Sequence, residues 1–387
     1  WPGGRYELHR PSNDSLSRFQ GWPDSLAWET DAADERRLRE VEAQLAGLTE
    51  GLPDSITGLR GSGLGYERTS DALRYNRVQG LSLGLGYRIR VPGVSFTSAY
   101  ATARYGFSDQ RVTGRLSVIR DAPSARVTVS GYRDITDLDP LGSALGFGNT
   151  LNALFAAHDG GDYLLAEGGA LRVERSLGTG LELAAGVRVE REESVARAAR
   201  SAVNDLLGGS GRLPENPPVD EGTFVGGGVR LTGNGARRWT LGGDVLGGEG
   251  RTTGRLFGAI RQDVGDARGL TLRVAGGVAT APTLTQAEFR LGGLGTVRGF
   301  DYGSRRGQAF WAAQLDLAPL RGRLRPVLFI DAGQTGPADA LFDTDALVGA
   351  GAGISLFNGL IRFDLSHPVS PDTGGKARFD IVLQAVR

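Results

Sequence analysis

Three histidines, His9, His158 and His367, are the only imidazoles in the chain, and cysteine is absent. The histidines lie too far apart in sequence to suggest a metal pair, and without thiolates a zinc site would need mostly carboxylates. Ser366 beside His367 has the elements of a hydrolytic pair, but Pro368 follows at once, and a histidine ending a strand needs no catalytic role. The glycine-rich GGLG at 292–295 lacks the lysine and the strand-to-helix context of a phosphate loop. No catalytic residue, metal ligand or cofactor is therefore expected, and no enzyme. Another kind of chemistry is open to one arginine and two aspartates. Arg298 stands in LGGLGTVRGFDYG at 291–303, Asp316 in the following QAFWAAQLDLAPL, and Asp331 in RPVLFIDAG at 325–333. A guanidinium fork suits two carboxylates at once, which would be electrostatic fastening and not catalysis.

Two hydrophobic periods run through the chain that carries these groups. Residues 1–55 are polar and irregular except where Asp31 can cap a helix and Leu38, Val41, Leu45 and Leu48 recur at helical spacing, which predicts a helix near 32–50. From about residue 77 the period is two. Val112, Leu116 and Val118 alternate with Arg111, Thr113, Arg115 and Ser117, and Leu181, Leu183, Ala185, Val187 and Val189 alternate with Glu182, Arg188, Glu190 and Glu192. One face is apolar and the other charged. Fifteen such strands are predicted, at 77–91, 94–107, 110–121, 124–135, 161–176, 179–193, 221–234, 238–248, 252–264, 268–281, 308–319, 324–334, 346–357, 359–368 and 376–386. Many have the length needed to cross a bilayer as a tilted strand.

Composition narrows the class. Forty-four basic residues balance 44 acidic ones, so no global field favours nucleic acid. Glycine, at 61 of 387 residues, is about twice its ordinary usage without a collagen period, a bias that curved strands tolerate. No stretch of about 18 consecutive apolar residues exists, which leaves the barrel as the route into a membrane.

The loops sort by length. The long gaps 136–160, 194–220, 282–307 and 335–345 are separated from one another by even numbers of strands and so emerge on one side of the sheet, while the short joints fall on the other. This is the asymmetry of an outer-membrane barrel, with long outer loops and short periplasmic turns. Parity demands one more crossing to bring the N-terminus back to the short-turn side, and ITGLRGSGLGYER at 56–68 is assigned to it on topology alone. The fold class expected is all-β, a sixteen-stranded antiparallel transmembrane β-barrel over 56–387, preceded by a periplasmic or plug-like segment over 1–55.

V-R-G-F at 297–300, an acidic residue in the next strand and F-x-D-x-G in the one after it resemble the signature of the outer-membrane barrel-assembly and two-partner-secretion transporter superfamily, the BamA-like bacterial surface antigen family. The resemblance covers about 285–386. It implies that the sixth outer loop folds back into the lumen, and the parity count makes 282–307 the sixth loop, with five strands after it. In a loop so inserted Arg298 would need carboxylate partners. Asp331, on the strand face of Phe329 and Gly333, and Asp316, on that of Gln314, are expected to supply them, while Gly299 lets the backbone turn and Phe300 wedges against the wall. The loop-lock residues are thus Val297, Arg298, Gly299 and Phe300, and their wall partners Asp316, Phe329, Asp331 and Gly333. The resemblance implies residence in the bacterial outer membrane, contact with its lipid, and a role in membrane protein assembly or protein translocation, with unfolded outer-membrane or secreted proteins as clients. Members usually carry periplasmic polypeptide-transport domains, which residues 1–55 are too few to hold. A stand-alone passive channel, or a structural barrel that docks other envelope proteins, is the alternative.

Overall fold

The computed structural model describes residues 62–387 apart from 143, 236, 265–268, 321–323, 358–359, 371–376 and 384–387. The helix expected near 32–50 lies outside the described residues. The described chain is mostly strand: β1 Ser62–Leu64, β2 Leu73–Asn76, β3 Gly80–Arg90, β4 Thr97–Gly106, β5 Val112–Asp121, β6 Arg126–Asp137, β7 Tyr163–Gly178, β8 Leu181–Ser194, β9 Gly222–Asn234, β10 Arg237–Gly248, β11 Arg251–Val264 and β12 Leu270–Ala279. A two-stranded ribbon, β13 Phe289–Leu291 with β14 Arg305–Gly307, interrupts the series. Then come β15 Ala309–Leu317, β16 Leu324–Gly336, β17 Leu347–Leu356, β18 Ile361–Pro368 and β19 Arg378–Leu383. Every ladder from β2 to β19 is antiparallel between sequence neighbours, with β12 passing over the ribbon to pair with β15. No strand-to-strand register joins β19 back to β2 among the described residues, so the sheet is a large antiparallel array consistent with a barrel but not closed by a ladder.

Each of the fifteen strands read from alternation has its counterpart within a few residues at either end. The crossing assigned to 56–68 differs. Its described part is strand only at Ser62–Leu64, which pairs with Tyr87–Ile89, and a second short strand, Leu73–Asn76, pairs with Gly80–Leu83 on the same edge of β3. A 3-10 turn, Thr69–Asp71, separates the two. The interruption has an electrostatic cause. Asp71 is buried, and its carboxylate accepts from Arg104 at 2.5 Å and Arg68 at 3.0 Å, while Asp134 accepts from Arg74 at 2.9 Å, Arg104 at 2.8 Å and Arg68 at 3.1 Å. A straight strand would have continued the β3 pairing; the turn brings Asp71 over these arginines. Burying four charges in one cluster, with the half-exposed Arg68 at its rim, requires this mutual pairing.

The two faces of the sheet are inverted relative to a soluble protein. In β5 Val112, Leu116 and Val118 are exposed while Thr113, Ser117 and Ile119 are buried, and in β8 Val187 and Val189 are exposed while Glu190 and Glu192 are buried. The exposed row continues through Leu85, Val129, Leu171, Val225, Leu241, Leu256, Val274, Leu328, Ile330 and Leu365. An apolar belt running across so many strands far exceeds the patches that soluble monomers leave in water, and bilayer is the solvent that suits it. The buried side is lined with paired charges, and over it pack the long segments 138–162, 195–221 and 280–308, the first containing the short helix α1 Phe147–Leu151 and the second α2 Ala202–Leu206. No described helix is long and apolar enough to cross a membrane.

Candidate functional site

The segment between the two ribbon strands is folded onto the buried face of β15–β18. Val297 is fully buried and Phe300 nearly so, in an apolar cluster with Phe257, Phe289, Leu291, Phe310, Ala312 and Leu347. Gly299 has φ 95°, a left-handed conformation that an L side chain adopts only with strain, and a Cβ there would press on the His367–Pro368 backbone. The close approach is deepest at Gly349, where a Cβ would overlap the Arg298 carbonyl oxygen. Strand register explains why the seat lies here: Gln314, Asp331 and Gly349 are successive cross-strand partners, so the carboxylate stands next to the floor on which the Arg298 backbone lies.

From that backbone the Arg298 side chain forks to three strands. Its Nε donates to Asp331 Oδ2 at 2.7 Å, and its Nη2 to Asp331 Oδ1 and to Asp316 Oδ1, both at 2.6 Å. Its Nη1 lies 3.5 Å from Asp364 Oδ2, and its own amide N–H donates to Asp331 Oδ2 at 2.9 Å. The guanidinium carbon sits 3.8 Å from the centre of the Phe329 ring, a cation–π contact in a desolvated setting. The structure therefore brings Arg298, Asp316, Phe329 and Asp331 together, with Gly333 under Val297 and Leu291. Burial alone would lower the Arg298 pKa, but the hydrogen bonds and charges of Asp331 and Asp316 outweigh it and raise it further above its ordinary value.

Three charged partners were not read from the sequence. Arg362 donates to Asp364 twice at 2.6 Å and to Asp316 at 2.8 Å, and Arg273 reaches Asp316 at 3.4 Å. Arg298, Arg362 and Arg273 thus face Asp316, Asp331 and Asp364, equal numbers of each sign. The signal was present: Arg362, Asp364 and Ser366 alternate with Ile361, Phe363 and Leu365, placing an acid and a base on the charged face of the penultimate strand. A second fastening holds the neighbouring loops. Arg77 donates its amide N–H to Asp159 at 2.6 Å, and Asp162 is shared between Arg77 at 3.3 Å and Arg290 at 2.8 Å, tying 138–162 to the start of the 280–308 segment. Arginine does not exchange protons near neutral pH, so its part in these clusters is to hold elements in place. No group of three potential metal ligands occurs among the described residues.

Comparison with known proteins bears on the frame that carries this site. Residues 58–213 match the C-terminal domain of a family of unknown function (DUF5686), a match that ends before the V-R-G-F segment. By sequence no curated protein matches the chain. Among solved structures the chain is similar to BamA from Haemophilus ducreyi lacking POTRA domains 1–3, at TM-score 0.53 and 12% identity over 80% of this chain and 68% of that one. It is also similar to CdiB from Escherichia coli, at TM-score 0.42 and 14% identity over 80% of this chain and 60% of that one. At these identities the similarity to BamA speaks to fold: the chain has a BamA-like barrel architecture.

Proposed function

We propose that this chain is an integral barrel of the bacterial outer membrane that works as a protein assembly or translocation factor, with the 280–308 loop fastened to the inside of its wall. In this reading β1 and β2 are the two halves of one broken first strand, which makes sixteen, and the long loops face the outside. The observation that carries it is the Arg298 fork, which fixes a long loop to three separate strands that follow it. A loop needed only to cover a pore would not require a balanced set of six charges, five of them buried. The BamA-like frame and the V-R-G-F and F-x-D-x-G segments give this fastening its functional direction.

The test is a folding assay in vesicles. Liposomes carrying the purified barrel, checked for fold by heat-modifiable mobility, are mixed with a urea-unfolded small outer-membrane barrel. Faster folding of that client than in empty liposomes, lost with Arg298→Ala, is the expected result. A correctly folded wild-type protein that gives no acceleration overturns the assembly role and leaves the passive or docking barrel as the reading.

A further inference from the structure

Where the sheet lacks a closing ladder, a loop occupies the gap. α1 and the π-helical turn that continues it, Asn152–Ala156, pack against both β2 and β19. The contacts are made with strand backbone. Asn152 Nδ2 donates to the Ile381 carbonyl oxygen at 2.5 Å, and the Ile381 N–H donates to Asn152 Oδ1 at 2.6 Å. A primary amide carries the same donor and acceptor as a peptide group, so the Asn152 side chain pairs with β19 as one residue of a neighbouring strand would. On the opposite edge the Tyr75 N–H donates to Thr150 Oγ1 at 3.1 Å. Tyr75 is opposite Leu81 in the β2–β3 ladder, and the Leu81 carbonyl takes the Phe107 N–H on the β4 side, so the Tyr75 N–H points to the open edge. Asn152 and Thr150 are each 3% exposed, Ala153 is fully buried in a cluster with Tyr75, and His158 adds a 2.8 Å contact to Asp380.

We infer that residues 147–158 are a clasp that joins the first and last strands through side chains in place of a strand ladder, with Asn152 holding β19 and Thr150 holding β2. An exposed strand edge left unsatisfied is unstable in a membrane and prone to pair with other chains. The clasp meets one backbone position on each edge, Tyr75 and Ile381, from a single short segment, and, being built of side-chain contacts from a loop, it can be withdrawn without breaking any ladder of the sheet. This inference stands whether or not the barrel assembles proteins.

The two halves of the clasp are separately testable by hydrogen exchange on the full chain in nanodiscs. Asn152→Ala is expected to speed exchange in 378–383 by about tenfold or more, the equivalent of losing two buried hydrogen bonds, with 222–264 unchanged. Thr150→Val, which keeps shape and removes the hydroxyl, is expected to speed exchange at 73–76 and to leave 378–383 closer to wild type. If Asn152→Ala does not fold, Asn152→Asp, which retains the acceptor for the Ile381 N–H but loses the donor, replaces it and is expected to give the same direction with a smaller change. Faster exchange confined to 147–158, with both strands unaffected, overturns the clasp, as does a uniform rise across all strands.

Discussion

Arg298 shows how much a single side chain can organise when it is buried. Its fork takes both oxygens of Asp331 and one of Asp316, and its carbonyl rests on Gly349. Arg298→Ala removes the guanidinium from Asp331 and Asp316 and leaves Asp331 only the amide N–H of residue 298 and the Gln314 amide, and the expected loss of stability is about 3–5 kcal/mol, the usual cost of breaking one side of a buried ion set. Arg298→Lys is expected to recover less than half of that, because an ammonium cannot span two carboxylates in one plane. Unfolding midpoints in urea for the three proteins in the same vesicles check both statements. Gly349→Ala makes a steric test of the same seat: the added methyl is expected to lift the segment at about 1–3 kcal/mol and to open 292–304 to protease while the strands stay paired. The core of this seat was legible because an R-G-F segment and two aspartates stand out in glycine-rich strands. Arg362, Asp364 and Arg273 were not, because each is one of many charged residues on the inward face of a strand, and only register decides which of them meet.

Among the elements, alternation made the strands readable and also explains the one that was misread. A strand between lipid and a charged interior keeps its outward row apolar, as Val112, Leu116 and Val118 of β5 and Val187 and Val189 of β8 do. Val187→Arg, on the exposed apolar face of β8, is therefore expected to cost about 2–4 kcal/mol if it lies near the bilayer midplane, whereas Arg188→Gln on the opposite face costs far less. Reversible unfolding of the two variants in lipid vesicles gives the comparison, and the reverse order would mean that the faces were inverted. The first strand escaped this logic because its middle is spent on a turn that delivers Asp71 to Arg104, so residues 65–72 obey the geometry of a charge cluster and not a period of two. The clasp was equally hidden: nothing in FGNTLNALFA distinguishes an asparagine that pairs with a strand 229 residues away from an ordinary helix residue.

For the whole molecule, the sorting of long and short connections carries the orientation. The segments 138–162, 195–221, 280–308 and 337–346 leave one end of the sheet, and the tight joints such as 179–180 leave the other. Single cysteines at Leu207 and Thr179 are expected to differ in intact cells, with an impermeant maleimide reaching only the first. Equal labelling, or labelling at Thr179 alone, would reverse the orientation. The position of Arg298 also has a meaning for how the molecule is made. Its carboxylates come from three different strands, β15, β16 and β18, and a slip of one residue in any of them would turn that aspartate outward to the lipid side. The arginine meets all three carboxylates only when β15–β18 are paired in this alignment, so the docking of this loop reads out the register of the C-terminal strands.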